Sequence, residues 1–177
     1  HRPRADPPLA LGWGGQRHRF DRDRRETIEC GRSVPLELDM AALISADIKA
    51  FLSQPHVAAL ATVRPDGRPH VTPVWFDFDG SEFTVSTFRG AQKLENVSHK
   101  GFAALSVFTH DPPYRNVIVE GTARIGSPLD SVWRERLATR YLGEHAGRVY
   151  VQETADWDVI AIHIRPTRWT STGFSES

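Results

Sequence analysis

The residues predict a mostly β protein, an antiparallel barrel carrying a few short helices. Three observations lead there. Apolar runs of strand length recur at Val57–Val63, His70–Phe78, Glu82–Thr87, Phe102–Thr109, Asn116–Ile125 and Trp157–Arg165. Turn chemistry joins the first three as hairpins, through Arg64-Pro-Asp-Gly-Arg68 and Asp79-Gly80. After an opening helix the order is βββ–α–ββ–α–β, which is not the strict strand–helix alternation of a doubly wound sheet.

Taken in order, Asp39 can cap a helix in which Leu43, Ile44, Ile48, Phe51 and Leu52 share one face, with Pro55 at its end. In the first turn Pro65 presets φ and Gly67 supplies φ > 0. Residues 57–87 therefore read as a three-stranded antiparallel meander. Gly90–His99 fits a short helix, and the loop His110-Asp-Pro-Pro-Tyr-Arg115 separates the next two strands. Ser127-Pro-Leu-Asp130 combines an N-cap serine, an N1 proline and an acid three residues on, so a helix is expected to start there. Its apolar face is Leu129, Val132, Trp133, Leu137 and Tyr141, and Gly143 stops it. Nothing in the pattern assigns a conformation to Leu142–Asp156.

Composition narrows the function classes. The 177 residues, 40% hydrophobic and 25% charged, suit one globular domain. Lysine plus arginine (22) equals aspartate plus glutamate (22), so no net field draws the chain to nucleic acid or a membrane surface. The single cysteine, Cys30, cannot form an internal disulfide. No apolar run approaches the ~20 residues that span a bilayer, and no long apolar stretch follows the N-terminal arginines as in a secretory signal. A cytoplasmic protein is expected. The eight histidines show no i, i+4 pair, so no metal site is expected. No G-x-S-x-G elbow, G-x-G-x-x-G or Walker A sequence occurs, and no side chain declares itself a catalytic acid, base or nucleophile.

Residues 1–39 differ from the rest. They hold eight of the 19 arginines, several prolines and glycines, and few apolar residues without period. Such a segment buries too little apolar surface to offset its ordering entropy, so it is expected to be disordered. Met40, the only methionine, stands where patterning begins. The folded domain is expected to be residues 40–177, with 1–39 a non-native extension or an arginine-rich arm for a partner.

The most informative stretch is Val85-Ser-Thr-Phe-Arg-Gly-Ala-Gln-Lys-Leu-Glu-Asn-Val97. A strand ends in Ser86 and Thr87, passes through Arg89-Gly90 and enters a helix with Lys93 in its first turn. Hydroxyls, free backbone N–H groups, the positive helix end and two cations converge there, as an anion site requires. The neighbouring strand carries Pro73, Val74, Trp75 and Phe76, an apolar slot for a planar ring beside a phosphate cradle. The same residues also fit a solvated helix start, with Lys93 paired to Glu95 or water, beside an ordinary strand.

Pro55-His-Val-Ala-Ala-Leu-Ala-Thr-Val-Arg-Pro-Asp-Gly-Arg-Pro-His-Val-Thr-Pro-Val-Trp-Phe, the Gln92-Lys93-x-x-Asn96 helix and Pro113-Tyr-Arg-Asn-Val-Ile-Val-Glu-Gly121 carry a family pattern. Over roughly residues 43–170 the chain resembles the pyridoxamine 5′-phosphate oxidase-like split-barrel proteins, and within them the actinobacterial branch dependent on the deazaflavin coenzyme F-420. The resemblance implies a homodimer of six-stranded antiparallel split β-barrels of the FMN-binding type, with the cofactor in a groove at the dimer interface. It implies that Lys93 binds the phosphate with Ser86 and Thr87, and that Pro73, Val74 and Trp75 lie beside the ring. Tyr114 and Arg115 would reach the cofactor from the partner subunit. Arg89 has no fixed counterpart, and its phosphate role rests on the local argument.

The implied activity is an F-420-dependent reductase that transfers hydride to an unsaturated small-molecule acceptor. The alternatives are an FMN-dependent oxidoreductase and a non-catalytic cofactor- or haem-binding carrier on the same fold. Arg64, Arg68 and Arg89 are available to the polyglutamate tail of F-420. The loops His110–Arg115 and Leu142–Asp156 would set acceptor specificity.

Overall fold

The computed structural model describes residues 44–174, so the expectations for residues 1–39, the Asp39 cap and Leu43 lie outside the described residues. Helix α1 is Ala46–Leu52, and the Ser45 hydroxyl accepts the Ile48 N–H at 3.3 Å as its N-cap. Ile48, Phe51 and Leu52 are buried, as their spacing predicts.

All six expected strand runs form, but the sheet has seven segments. These are β1 (Ala58–Val63), β2 (Pro69–Val74), β3 (Phe76–Phe78), β4 (Phe83–Phe88), β5 (Phe102–Phe108), β6 (Asn116–Pro128) and β7 (Val159–Thr172). Their order is β2-β1-β5-β6-β7-β4-β3, with every pair antiparallel. The first and last members are two halves of one run, broken at Trp75. β2 pairs with β1 and β3 pairs with β4, so the run bridges both ends of the sheet and closes it as a barrel. The meander expected for residues 57–87 is thus two hairpins joined at a kink. Period-2 patterning could not show this, because the pattern continues through the kink.

Inward residues alternate along each strand. Leu60, Phe76, Phe83, Val85, Leu105, Val107, Val117, Val119, Ile162 and Ile164 fill the barrel and are fully buried. β7 runs seven residues beyond the expected Arg165, pairing its extension with β6 from Asn116 to Glu120.

Helix α2 is Gln92–Lys100, α3 is Ser131–Leu142 and α4 is Glu144–Glu153. The expected Ser127 cap of α3 is corrected. β6 continues to Pro128, which pairs with Ile160, so Ser127 and Pro128 are spent as strand. Asp130 caps instead, accepting the Trp133 N–H at 2.8 Å. Val132, expected on the apolar face, is exposed, while Leu137 and Ala138 are buried. Helix α4 occupies the segment that pattern left unassigned. It lies so close to α3 that a Cβ on Gly147 would sit 2.5 Å from the Thr139 backbone nitrogen. No described helix is long and apolar enough to cross a membrane.

Candidate functional site

The kink at Trp75 leaves Phe76 backbone groups to be satisfied away from a regular ladder, and α3 satisfies them. The Tyr141 hydroxyl accepts the Phe76 N–H at 3.1 Å and donates to the His56 carbonyl at 2.9 Å. The Arg140 guanidinium donates to the Phe76 carbonyl and, at 3.1 Å, to Asp77 Oδ1. Arg136 holds the other Asp77 oxygen at 2.6 Å. Burial raises the Tyr141 pKa above the ordinary tyrosine value, so the hydroxyl stays protonated and able to donate. Tyr141→Phe is expected to leave a buried N–H and a carbonyl unpaired, lowering stability by about 1–3 kcal/mol. Chemical denaturation checks this, and an unchanged midpoint would show that the clamp holds nothing.

Lys93 is positioned by a second network. Asn96, 0% exposed, donates from Nδ2 to Thr62 Oγ1 at 2.9 Å and accepts from Gln92 Nε2 at 3.0 Å. Gln92 Oε1 accepts from Arg64 at 3.1 Å. These bonds pin the first turns of α2 to β1. The same turn brings Lys93 Nζ to 3.2 Å from Thr87 Oγ1, with the ammonium 5.9 Å from the Phe88 ring centroid. Burial alone pushes the Lys93 pKa below the ordinary lysine value. Among the described residues Lys93 has no carboxylate partner. Glu95, the alternative partner, accepts instead from Gln92 Nε2 at 2.8 Å.

Beside Lys93 lies a hollow of about 460 Å³, lined by Val57, Pro73, Val74, Trp75, Ser86, Thr87, Phe88, Lys93, Tyr150, Trp157 and Val159. Pro73, Val74, Trp75, Ser86, Thr87 and Lys93 therefore meet in one place. Its aromatic wall runs from Trp75, stacked on Tyr141 at 4.8 Å, through Tyr150 at 5.5 Å from Trp75, to Trp157 at 6.5 Å from Tyr150. The sequence pattern places neither Tyr150 nor Trp157 here. Tyr150 belongs to the unassigned segment and Trp157 to an expected strand, so no local signal shows that α4 folds back over the site.

Two expected site residues stand elsewhere in the chain. Arg89 forms an ion pair with Asp158, and its backbone N–H donates to the Asp158 carbonyl at 2.9 Å. It borders a neighbouring hollow with Phe88 and Trp157 rather than the one holding Lys93. Arg115 lines a separate hollow with His56 and His110. Of the arginines considered for an anionic tail, Arg68 is held by Asp66 at 2.7 Å and Arg89 by Asp158. Arg64 has only the neutral Gln92 amide as a side-chain partner among the described residues. Burial, then Arg64 and Lys93, lowers the His70 pKa, so both cations are felt on this side of the site. No group of three or more metal-ligating side chains occurs among the described residues.

Comparison with known proteins agrees with this architecture. Forty per cent of 91 aligned residues are identical to an F-420-dependent biliverdin reductase of Mycobacterium tuberculosis, over 50% of this chain and 64% of the relative. The chain thus matches less than two thirds of that relative's length. A solved structure described as an F-420 reductase shares 30% identity over 69% of this chain and 94% of its own, with a TM-score of 0.57. HutZ, the haem storage protein of Vibrio cholerae, superposes with a TM-score of 0.58 over 75% of this chain and 96% of its own; at 17% identity the likeness is one of fold. Residues 44–173 match the pyridoxamine 5′-phosphate oxidase family. With the match covering nearly every described residue and the barrel closed at Trp75, the chain belongs to the pyridoxamine 5′-phosphate oxidase family.

Proposed function

We propose that the protein is an F-420-dependent reductase that delivers hydride to an unsaturated small-molecule acceptor. The observation that carries this reading is Lys93, a half-buried ammonium bonded to a hydroxyl, without a carboxylate, at the edge of an aromatic-walled hollow. A desolvated cation of that kind is stabilised by an anion, and a phosphate supplies one. Lys93, Ser86 and Thr87 would hold the phosphate, while Pro73, Val74 and Trp75 would lie along the ring. The hollow's volume is in the range of small-molecule sites. When bound, the reduced deazaflavin supplies the hydride; the protein orients it and excludes water. The relatives described as F-420-dependent support this choice over FMN.

Arg64 separates the two cofactors. FMN ends at its phosphate, whereas F-420 continues into a chain of carboxylates that an arginine beside Lys93 would meet. Arg64→Gln is expected to weaken F-420 binding roughly tenfold or more and to leave FMN binding within about twofold.

In this reading residues 40–177 form the cofactor-binding domain of a cytoplasmic homodimer. The outer face of β2-β1-β5-β6 supports self-association. It presents Val71, Phe102 and Ile118 exposed among small residues such as Ala59, Ala61 and Ala104. Sedimentation of the purified protein as a monomer at micromolar concentration would remove the homodimer from the proposal.

The deciding test is a parallel titration with F-420 and FMN, read by tryptophan fluorescence, since Trp75 and Trp157 both line the hollow. Tight F-420 binding with weak FMN binding is expected. The reverse would make the protein a flavoenzyme, and binding of neither would remove the cofactor proposal. Tight binding without turnover of any acceptor would favour the carrier reading.

A further inference from the structure

The second hollow, about 550 Å³, lies between the end of α1 and the 109–115 loop, away from Lys93. Its apolar walls are Phe51, Phe108, Pro112 and Pro113. Its polar groups are of a different kind. His56 Nε2 is buried without a hydrogen-bond partner, while the His56 ring is held against Phe51 at 4.4 Å. The Arg115 guanidinium has no carboxylate partner among the described residues and lies 5.5 Å from the Phe174 ring centroid. His110 borders the same space, edge-on to Phe108 at 5.2 Å.

The loop is braced before any ligand arrives. Thr109 Oγ1 donates to the Pro113 carbonyl at 3.2 Å and accepts the Arg115 N–H at 3.0 Å, while the Thr109 N–H donates to the Arg115 carbonyl at 3.0 Å. Such bracing lowers the ordering cost of binding. Asp111 also borders the hollow and, like Arg115, is exposed, so water screens its repulsion and the arginine's attraction alike.

We propose that this hollow binds the carboxylate of a flat, ring-bearing acid, with Arg115 as the cation, His56 as a hydrogen-bonding partner and Phe51 and Phe108 as the ring's walls. An apolar slot closed by an unpaired guanidinium and an unpartnered imidazole nitrogen suits a planar carboxylate and is wasted on a neutral ligand. His56 lines this hollow and Val57 lines the one beside Lys93, so neighbouring residues of one segment border the two spaces. The assignment gives Arg115 a ligand other than the cofactor of a partner subunit, and it stands independently of which cofactor the first hollow takes.

The test uses benzoate as the probe and benzamide as its uncharged counterpart, on the full chain without cofactor, followed by the histidine C–H signals in NMR. Benzoate is expected to move the His56 and His110 signals, and benzamide to leave them in place. Arg115→Gln, at an exposed position, is expected to weaken benzoate binding roughly tenfold or more while F-420 affinity stays unchanged. Equal binding of the two probes, benzoate binding indifferent to Arg115→Gln, or no binding would overturn the proposal. So would loss of F-420 rather than benzoate affinity in that variant, which would return Arg115 to the cofactor. Failure of the reductase reading is distinct, because it would leave benzoate binding intact with no F-420 bound.

Discussion

Lys93→Ala is expected to weaken F-420 binding by roughly one to two orders of magnitude, the worth of a charge-assisted hydrogen bond to phosphate in a partly dehydrated site. The same substitution is expected not to destabilise the ligand-free protein. Burial lowers the Lys93 pKa from its ordinary 10.5, so folding penalises the charged form. That penalty is complete below the folded-state pKa, fades as pH rises from there to the ordinary lysine value, and is absent above it. On the acid side of that interval the ligand-free protein carries the penalty, and alanine removes it. Thermal denaturation with and without F-420 checks both halves. The variant should melt at or above the native temperature alone and lose most of the shift that cofactor produces. An unchanged cofactor-induced shift would exclude Lys93 as the phosphate cation.

Phe76→Ala is expected to have the largest effect on stability, about 3–5 kcal/mol, the range for truncating a buried aromatic. Phe76 is fully buried, 5.7 Å from the Phe83 ring, and sits immediately after the kink at Trp75. The cavity would open beneath the residue that Tyr141 and Arg140 grip through its backbone. The wall formed by Pro73, Val74 and Trp75 would lose its seating as well. F-420 affinity is therefore expected to fall even at temperatures where the variant remains folded. A stability loss below about 1 kcal/mol would mean that the barrel collapses around the gap, contrary to the close packing of interiors.

Several features were legible from local chemistry. Asp79-Gly80 between two alternating runs is a strong local hairpin signal, and β3 and β4 flank it. Ser86 and Thr87 leading into Arg89-Gly90 and Lys93 describe a strand end feeding a helix start, and β4 and α2 fall there. Asn96 was legible only as part of a family pattern. Its bond to Thr62, thirty-four positions away in sequence, has no local signature.

The errors lie where a partner distant in sequence wins over local preference. Ser127-Pro-Leu-Asp130 is a sound helix start, but pairing with β7 draws β6 through Pro128, and Asp130 takes over as cap. Arg89 is a different case: its role toward an anion beside Lys93 stands as a proposal, and its partner within the chain is Asp158, far along the sequence.

By itself the sequence determined the strand runs, their turns, the helix that carries Lys93 and the polar strand end beside it. Period, capping and turn chemistry act over a few residues, and each is written in its own stretch of chain. Only the tertiary structure decided that one run breaks at Trp75 and closes the barrel, that α4 brings Tyr150 to the hollow beside Lys93 with Trp157 next to it, and which arginines lack a carboxylate partner among the described residues. Those outcomes depend on which distant groups satisfy a kinked backbone, a buried amide or a guanidinium, and that competition is resolved only when the chain is packed.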